Sequence, residues 1–257
     1  MSNEKVMTKE IAEQFLSDEG SVDLSEYTTM DDRAAEILNQ LKKDYLHLND
    51  LTSLSDAAVE SLSNFRGDYL SLNGLTKLSE AAAESLSRFE GFLYLNGVSS
   101  LSDAAAEKLK NFQGDYLHLS DLTSLSDAAA EDLRQFKGSE LCLDGLTSMS
   151  DGVAESLSKF KGHVLSLSSV SSLSDTAAEC LGKFAGNDVY LDGLTSLSDS
   201  AAESLSNFKG RALCLDGLKS LSDDAALNLS KFKGFLYLNR RACPMPWRKP
   251  DEDNDRT

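Results

Sequence analysis

Basic residues are scarce in this chain. Its 257 residues include 25 Lys and Arg against 42 Asp and Glu, a formal net charge of −17. Nonspecific binding to nucleic acid or to an anionic membrane needs a basic surface, so we predict neither partner. No stretch approaches the roughly 20 apolar residues of a membrane span. No apolar run follows Met1, so no secretory signal is visible.

The residue patterns of common enzymes are missing as well. The sequence contains no Gly-x-Ser-x-Gly, no phosphate-binding glycine loop and no Cys-x-x-Cys, which mark serine hydrolases, nucleotide-binding proteins and redox sites. Serine is so abundant that a serine near a histidine is expected by chance. We therefore predict that the protein is not an enzyme, with no catalytic residue, no metal ligand and no cofactor.

What the chain does contain is a repeat. A unit of roughly 24 residues recurs eight times between Asp44 and Gly234. Each unit contains one phenylalanine at the same position, and a glycine follows it two residues later. The phenylalanines are Phe65, Phe89, Phe112, Phe136, Phe160, Phe184, Phe208 and Phe232. A fixed period in the twenties is typical of a solenoid, in which no unit can bury its own apolar face and neighbours must stack.

Each unit begins with a Leu-x-Leu alternation, as in Leu70-Ser71-Leu72. This predicts a very short strand with both leucines turned inward. Ser79 and Glu80, Ser-Asp in the other seven units, then begin a helix. Serine is a good N-cap, and an acid favours the positive end of the helix dipole. Either residue could be the cap.

The helix is expected to run for about ten residues. Ala82, Leu86 and Phe89 lie at i, i+4 and i+7 and form one apolar stripe, so we predict that the Phe column belongs to the core. Gly91 suits a left-handed helix stop, where a side chain would clash. Strands stack about 4.8 Å apart and helices about 8–10 Å apart. The stack is therefore expected to bend into an α/β solenoid with parallel strands on a concave face and short helices on a convex one.

These residues resemble the leucine-rich-repeat family. The run Asn-Gly-Leu-Thr-Ser-Leu-Ser-Asp-x-Ala-Ala-Glu-x-Leu is similar to the cysteine-containing subtype, in a short style that looks like bacterial members. The likeness covers roughly Ser21 to Leu238. It implies a curved horseshoe that recognises ligands through its concave face. Leu75 and its equivalents replace the usual Asn or Cys of the asparagine ladder, and Gly67 stands where the first leucine of the usual motif would be.

The histidines and cysteines do not cluster in this pattern. His47 and His118 share one strand position three repeats apart and His163 stands alone, so no zinc site is predicted. Cys142 and Cys214 also lie three repeats apart, about 14 Å at strand spacing, which is too far for a disulfide between them. Free thiols and the missing signal predict a cytoplasmic protein.

The two ends depart from the repeat. Residues 1–43 are predicted to form an N-terminal cap, with an amphipathic helix from Thr8 to Leu16 and a degenerate repeat that starts at Val22-Asp23-Leu24. Residues 44–238 comprise the eight repeats and a closing strand. Residues 239–257 hold three prolines and the only tryptophan. They are predicted to be a tail that folds back over the last repeat up to about Trp247 and is partly disordered beyond.

Acidic residues recur at two repeat positions. One column lies along the helices, and the other marks the helix starts at Asp56, Glu80, Asp103, Asp127, Asp151, Asp175, Asp199 and Asp223. Stacked acids invite a calcium site, but acids are also the expected residues in the first turn of a helix. Neighbouring helices hold the carboxylates apart, whereas calcium needs six or more oxygens at about 2.4 Å. We interpret both columns as structural.

Three positions in each repeat vary and are predicted to point outward from the concave arc. The first half of that face is aromatic and the second half is smaller and more acidic. The predicted protein-binding residues are Tyr45, Tyr69, Phe92, Tyr94, Tyr116 and His118, with Asp144, Asp192 and Asp216 attracting a basic partner. Exposed aromatic side chains on a rigid surface give a large contact area at little entropic cost. Tyrosine is also simply a good strand residue.

The sequence therefore predicts a monomeric, non-enzymatic scaffold that binds another protein. Two alternatives stay open. Near-identical repeats favour a structural or spacer protein without a specific ligand. Tyr, Asn and Asp on the concave face would suit a glycan-binding module if the protein were exported.

Overall fold

The computed structural model describes residues 5–238, which repeat a strand, a loop and a short helix along the chain. Before the repeats come β1 (Val6–Met7), α1 (Lys9–Ser17), β2 (Thr29–Met30) and α2 (Asp32–Leu38). The repeat strands are β3 (Tyr45–His47), β4 (Tyr69–Ser71), β5 (Phe92–Tyr94), β6 (Tyr116–His118), β7 (Glu140–Cys142), β8 (Val164–Ser166), β9 (Asp188–Tyr190), β10 (Ala212–Cys214) and β11 (Phe235–Tyr237). The repeat helices are α3 (Asp56–Leu62), α4 (Glu80–Leu86), α5 (Asp103–Leu109), α6 (Asp127–Leu133), α7 (Asp151–Leu157), α8 (Asp175–Leu181), α9 (Asp199–Ser206) and α10 (Asp223–Leu229).

The nine repeat strands form one parallel sheet in chain order, from β3 at one edge to β11 at the other. Equivalent leucines pair in register, as Leu46 does with Leu70 and Leu117 does with Leu141. Helices contact the next helix and strands the next strand. The predicted α/β solenoid is confirmed, and its strands fall in the predicted windows.

The core lies between the sheet and the helices. A typical repeat contributes two leucines from Leu-x-Leu, the loop leucine, two helix alanines, a helix leucine and the phenylalanine, with valine at some of these positions in other repeats. In the repeat of β6 these are Leu117, Leu119, Leu122, Ala129, Ala130, Leu133 and Phe136, none more than 1% exposed. Small alanines let adjacent helices approach closely, which short strands between short loops require.

The phenylalanines form a stacked column through that core. The rings of Phe112 and Phe136 have centroids 5.5 Å apart, and those of Phe136 and Phe160 lie 5.9 Å apart with nearly parallel planes. All eight phenylalanines of the column are buried, so the prediction that they belong to the core is confirmed. Each ring is shared between neighbouring repeats, which makes every interface depend on two units.

The repeat helices are shorter than predicted, with seven residues in most repeats instead of about ten. After α3 the chain tightens into i→i+3 hydrogen bonds, from Phe65 N–H to the Leu62 carbonyl at 3.0 Å and from Asn64 N–H to Ser61 at 3.2 Å. The phenylalanine therefore follows the helix instead of ending it.

The glycine after each phenylalanine is required by close packing and not by backbone conformation. The predicted left-handed helix stop is wrong, because none of these glycines has a positive φ. A Cβ on Gly138 would lie 2.1 Å from Cζ of Phe136 and 2.6 Å from the carbonyl oxygen of Asp115 in the preceding repeat. The ring and the neighbouring backbone fill the space that any side chain would need.

Serine is the N-cap, and it also joins each repeat to the one before. The Oγ atom of Ser55 accepts a hydrogen bond from the Ala58 N–H at 3.0 Å. The same hydroxyl in the next repeat, Ser79, donates to Oδ1 of Asp56 at 2.6 Å. The bond recurs from Ser55 to Asp32, Ser126 to Asp103, Ser150 to Asp127, Ser174 to Asp151, Ser198 to Asp175 and Ser222 to Asp199. The acids at the helix starts therefore act as acceptors between neighbouring helices.

The N-terminal segment differs in part from the predicted degenerate repeat. Helix α1 matches the predicted amphipathic helix within a residue at each end. Val22 to Leu24, predicted to begin the degenerate repeat, does not form a strand of the large sheet. A 3-10 turn occupies Leu24–Glu26 instead. Instead β1 and β2 pair in parallel as a separate two-stranded sheet. The predicted tail, residues 239–257, lies outside the described residues.

Among residues 5–238, no helix has the length and apolar character that crossing a bilayer requires.

The Phe column gives a direct stability test. Phe136→Ala should lower the free energy of unfolding by about 3–5 kcal/mol, because the ring fills a dry interface between three repeats. Urea unfolding followed by circular dichroism measures the loss. Phe235→Ala, which removes a 65% exposed ring, is the control and should have little effect. A loss below about 1 kcal/mol for Phe136→Ala would contradict the core assignment.

The serine–aspartate column can be tested by comparing two serines. Ser126→Ala removes an N-cap and the bond to Asp103, whereas Ser102→Ala removes an N-cap whose described bonds include none to the preceding acid. Losing the cap costs about 1 kcal/mol, and the extra bond at an exposed site adds about 0.5 kcal/mol. We expect the larger loss in urea for Ser126→Ala. Equal losses would show that the inter-repeat bond contributes nothing, and the exposed Ser124→Ala is the control.

Candidate binding face

The side of the sheet that points away from the helices carries the predicted binding residues. We call it the distal face. Because side chains alternate along a strand, the leucines of Leu-x-Leu point into the core and the residues on either side of them point to the distal face. Its first row runs Tyr45, Tyr69, Phe92, Tyr116, Glu140, Val164, Asp188, Ala212 and Phe235, and its middle row runs His47, Ser71, Tyr94, His118, Cys142, Ser166, Tyr190, Cys214 and Tyr237.

The part of this face on β3–β6 is an aromatic patch. Tyr45 is 50% exposed, and Tyr69, Phe92, Tyr94 and Tyr116 are half-buried. We call these five residues the aromatic patch. His118, predicted to belong with them, lies on the same face but is buried.

Ring contacts hold the patch together. The rings of Tyr69 and Phe92 meet edge to face with centroids 4.6 Å apart, and Phe92 lies 4.1 Å from Tyr116. Tyr94 contacts the His118 ring at 4.6 Å. Edge-to-face and offset contacts of this kind add about 0.5–1.5 kcal/mol each beyond area burial, so the side chains are ordered before any partner arrives.

The part of the face on β7–β10 is buried, although the side chains between the strand leucines point to the distal side as predicted. All three residues of each of these strands are buried. Glu140, Asp188 and Tyr190 are each 1% exposed, and Val164, Tyr190 and Cys214 form an apolar cluster separate from the main core.

Glu140 and His118 form a buried pair on this face. Nε2 of His118 lies 3.0 Å from Oε1 of Glu140. Burial raises the pKa of Glu140 above the ordinary carboxyl value, while the neighbouring imidazole opposes that shift. The pair places a buried polar contact between β6 and β7, next to the aromatic patch.

Asp188 is neutralised by an arginine of the next repeat. The guanidinium of Arg211 binds it through two bonds, with Nε 3.0 Å from Oδ1 and Nη2 in contact with Oδ2. A bidentate guanidinium is the best available partner for a buried carboxylate. The sequence carries a signal for this pairing, because Arg211 stands directly before Ala212, the position equivalent to Asp188 on the next strand.

A ladder of short polar side chains runs along a third row of the distal face, formed by the residue that follows the second leucine of each Leu-x-Leu. Oδ1 of Asn73 accepts the N–H of Asn96 at 3.0 Å, and Oδ1 of Asp144 accepts the N–H of Ser168 at 2.9 Å. The same bond joins Asn49 to Asn73, Asn96 to Ser120 and Asp192 to Asp216. Leu75 and its equivalents cannot form a polar ladder. The ladder lies instead two residues earlier, at Asn73 and its equivalents, where the sequence analysis did not predict one. Its signal was the recurrence of Asn, Asp or Ser at that position in every repeat.

The predicted acidic binding residues take part in this ladder. Asp144 accepts from Ser166 Oγ at 2.6 Å as well as from the backbone. Burial raises the pKa of Asp192, and the nearby carboxylates of Asp216 and Asp144 raise it further against the N–H bond that it accepts. These side chains are half-buried, and those of Asp144 and Asp192 accept hydrogen bonds from the next repeat, which limits what they can offer to a partner.

The cysteines differ from the prediction of free thiols. Cys142 and Cys180 are free, but Cys214 is disulfide-bonded. Burial raises the pKa of the Cys142 thiol well above its usual value, and Asp144 adds to that shift, so Cys142 is unreactive as a nucleophile. The cytoplasmic prediction was based on free thiols and on the absence of a visible secretory signal. The disulfide at Cys214 removes part of the first argument.

The described residues show no group of three His, Cys, Asp or Glu side chains arranged to hold a metal ion. The acids along the helices are exposed and several pair with bases on the same helix surface, as Glu155 does with Lys159 at 2.8 Å and Glu179 with Lys183 at 2.7 Å. Two shallow clefts of about 500 and 550 Å³ lie off the distal face, one beside Lys43 and Asp44 and one beside Lys209 and Lys233.

Comparison with known proteins concerns the fold. No protein-family model matches the chain, and no curated protein matches it. Solved structures that resemble it include the TLR13–ssRNA13 complex, at 16% identity and a TM-score of 0.47, covering 82% of this chain and 39% of that one. Another is the Drosophila Toll–Spatzle complex, at 12% identity and a TM-score of 0.42, covering 91% of this chain and 34% of that one. The chain thus spans well under half the length of either. Both are leucine-rich-repeat proteins, and both likenesses have TM-scores below 0.5.

Proposed function

We propose that this protein is a non-enzymatic scaffold that binds another protein through the aromatic patch of its distal face. The observation that carries the proposal is a contiguous group of five aromatic side chains, accessible to solvent on four adjacent strands. Four strands span about 15 Å, which matches the apolar centre of a modest protein interface. Asn73 and Asn96 border the patch and supply a polar edge.

The patch suits recognition because it is already ordered. Apart from that of Tyr45, its rings contact one another, and its strands are fixed by in-register pairing and by the ladder of Asn49, Asn73 and Asn96. A partner would therefore lose little side-chain entropy in forming the contact. The acids of β7–β10 contribute less than their number suggests, because Asp188 and Glu140 are buried against Arg211 and His118.

One observation favours a second candidate, a glycan-binding module of an exported protein. The disulfide at Cys214 is typical of an oxidising compartment. Tyr and Asn side chains on an open sheet face can stack on and hydrogen-bond sugars. Fractionation of the source cells separates the two candidates, since the glycan function needs the protein outside the cytoplasm.

The protein-binding proposal is tested by a double substitution in the patch. We expect Tyr69→Ala with Tyr116→Ala to raise the dissociation rate of a captured partner at least about tenfold, because central aromatic residues contribute about 1–2 kcal/mol each. The effect should persist at high salt, since the contact is apolar. The measurement is a pull-down from source lysate followed by surface plasmon resonance with the identified partner.

Phe235→Ala is the matched control, because it removes an exposed aromatic ring from the far end of the same sheet. It should leave the dissociation rate unchanged. If the tyrosine double variant binds the partner as tightly as the parent, the aromatic patch reflects strand propensity alone and the site assignment is wrong. If the parent protein captures no other protein, the result favours the alternative of a structural or spacer protein without a specific ligand.

A further inference from the structure

The last helix of the repeat stack, α10, has an uncovered side. One helix position faces the next repeat, because the residues four places after it, such as Asn39 and Lys110, bond to that repeat and positions i and i+4 share a helix face. In α2–α9 this position is at most 1% exposed, at Ala35, Val59, Ala83, Ala106, Ala130, Ala154, Ala178 and Ala202. Its equivalent in α10, Ala226, is exposed. The surface that each inner helix buries against the next one is therefore open at α10.

The two ends of the stack differ in this respect. At the N-terminal end Leu46 of β3 is 1% exposed, and α1 packs on α2 and presents an exposed ion pair of Lys9 and Glu13. Repeat arrays need such a polar outer face on their terminal units to stay soluble. At the other end Leu236 of β11 is only half-buried. Leu227 is 61% exposed and stands where helices α3–α9 carry glutamate.

The outer edge of β11 presents backbone groups for another strand. Phe235 N–H donates to the Arg211 carbonyl at 2.7 Å, and the Tyr237 carbonyl accepts from Leu215 N–H at 2.9 Å. Leu236 lies between them, so its N–H and C=O point away from β10. Among residues 5–238 no strand pairs with that edge. An exposed apolar edge of this kind is a template for pairing with another chain.

The edge is complementary to itself. When two β11 strands pair antiparallel about Leu236, the two leucines exchange both of their outward backbone hydrogen bonds. Phe235 of each copy then lies opposite Tyr237 of the other, on the distal face. Directly opposed aromatic side chains are among the pairs that stabilise antiparallel strands. Phe235, which is 65% exposed in the single chain, becomes covered in this arrangement.

The charges of α10 fit the same rotation. Antiparallel pairing of the strands also brings the two α10 helices together antiparallel, with the small Ala226 side chains at the contact, where they permit a close approach. Helix α10 begins with Asp223 and Asp224 and is followed by Lys231 and Lys233, all of them exposed. The acidic start of each helix therefore meets the lysines that follow the other helix.

We propose that two copies of this chain associate end to end through α10 and β11, about a two-fold axis that passes beside Leu236 and Ala226. The occupant of this end is a second copy because the strand edge, the aromatic pairs and the charges of α10 each complement themselves under a single rotation. The dimer differs from the monomer that the sequence analysis predicts. It places both aromatic patches on the same side of one continuous sheet.

Sedimentation velocity of the full chain tests the dimer. Concentrations from about 1 to 200 µM are used because interfaces at the small end of the range dissociate readily, and a reductant excludes disulfide-linked species. We expect a reversible monomer–dimer equilibrium without larger species. Ala226→Arg should weaken it at least about tenfold, since the two-fold axis sets one guanidinium against the other. Ala128→Arg, the same change at an exposed alanine of α6, is the matched control and should dimerise like the parent.

Three outcomes would overturn the proposal. A parent that stays monomeric at the highest concentration has no such interface, and one that grows into larger species joins unlike ends. Equal dimerisation of Ala226→Arg and the parent would place the contact elsewhere. Phe235→Ala should weaken the dimer while leaving the unfolding of the dissociated protomer unchanged, because its ring lies outside the core.

A charge exchange tests the antiparallel arrangement itself. One variant carries Asp223→Lys with Asp224→Lys, and the other carries Lys231→Glu with Lys233→Glu. Each variant alone sets like charges against each other at both contacts and should dimerise at least about tenfold more weakly than the parent. An equimolar mixture restores both contacts in a heterodimer, which native mass spectrometry distinguishes by its mass. A mixture that associates no better than its components would overturn the proposed geometry.

Discussion

The structure depends on the shared burial of the phenylalanine column. A seven-residue helix and a three-residue strand cannot exclude water alone, so each repeat is stable only against its neighbours. The ring of Phe136 lies between those of Phe112 and Phe160, and the glycine after it lets the previous backbone close over the ring. Two hydrogen-bonded columns, serine to aspartate at the helix starts and Asn or Asp to backbone on the distal side, fix the same repeat spacing at both ends of the unit.

This spacing is what gives the distal face its character. Parallel strands in exact register place equivalent residues side by side, so any substitution repeated in adjacent units becomes a surface feature. Aromatic residues in four successive units form the aromatic patch. Acids in later units form a region in which Asp188 pairs with Arg211, Glu140 contacts His118, and Asp144 and Asp192 belong to the ladder. On β3–β6 the distal residues are therefore accessible except for Ser71 and His118, whereas on β7–β10 they are all buried.

The sequence predicted the features that follow from periodicity alone. The strands, the parallel order and the buried phenylalanines all come from a hydrophobic pattern that repeats in phase. It could not predict features set by contact between repeats. The glycine constraint depends on the distance from Gly138 to the Asp115 carbonyl, and the pairing of Asp188 with Arg211 depends on register between strands. Repeat spacing separates Cys214 from Cys142 but does not reveal that Cys214 is disulfide-bonded. Strand alternation specifies the side to which Tyr190 points but not that it is buried there.

The division of the distal face is tested most directly by nitration of its tyrosines with tetranitromethane, located by mass spectrometry. Tyr45 is half exposed, whereas Tyr190 is buried and its phenol pKa is raised by burial and by Asp188. Both effects slow a reaction that needs an accessible phenolate. The account predicts rapid modification of Tyr45 and protection of Tyr190 in the oxidised full-length protein. Equal modification of the two tyrosines would contradict it.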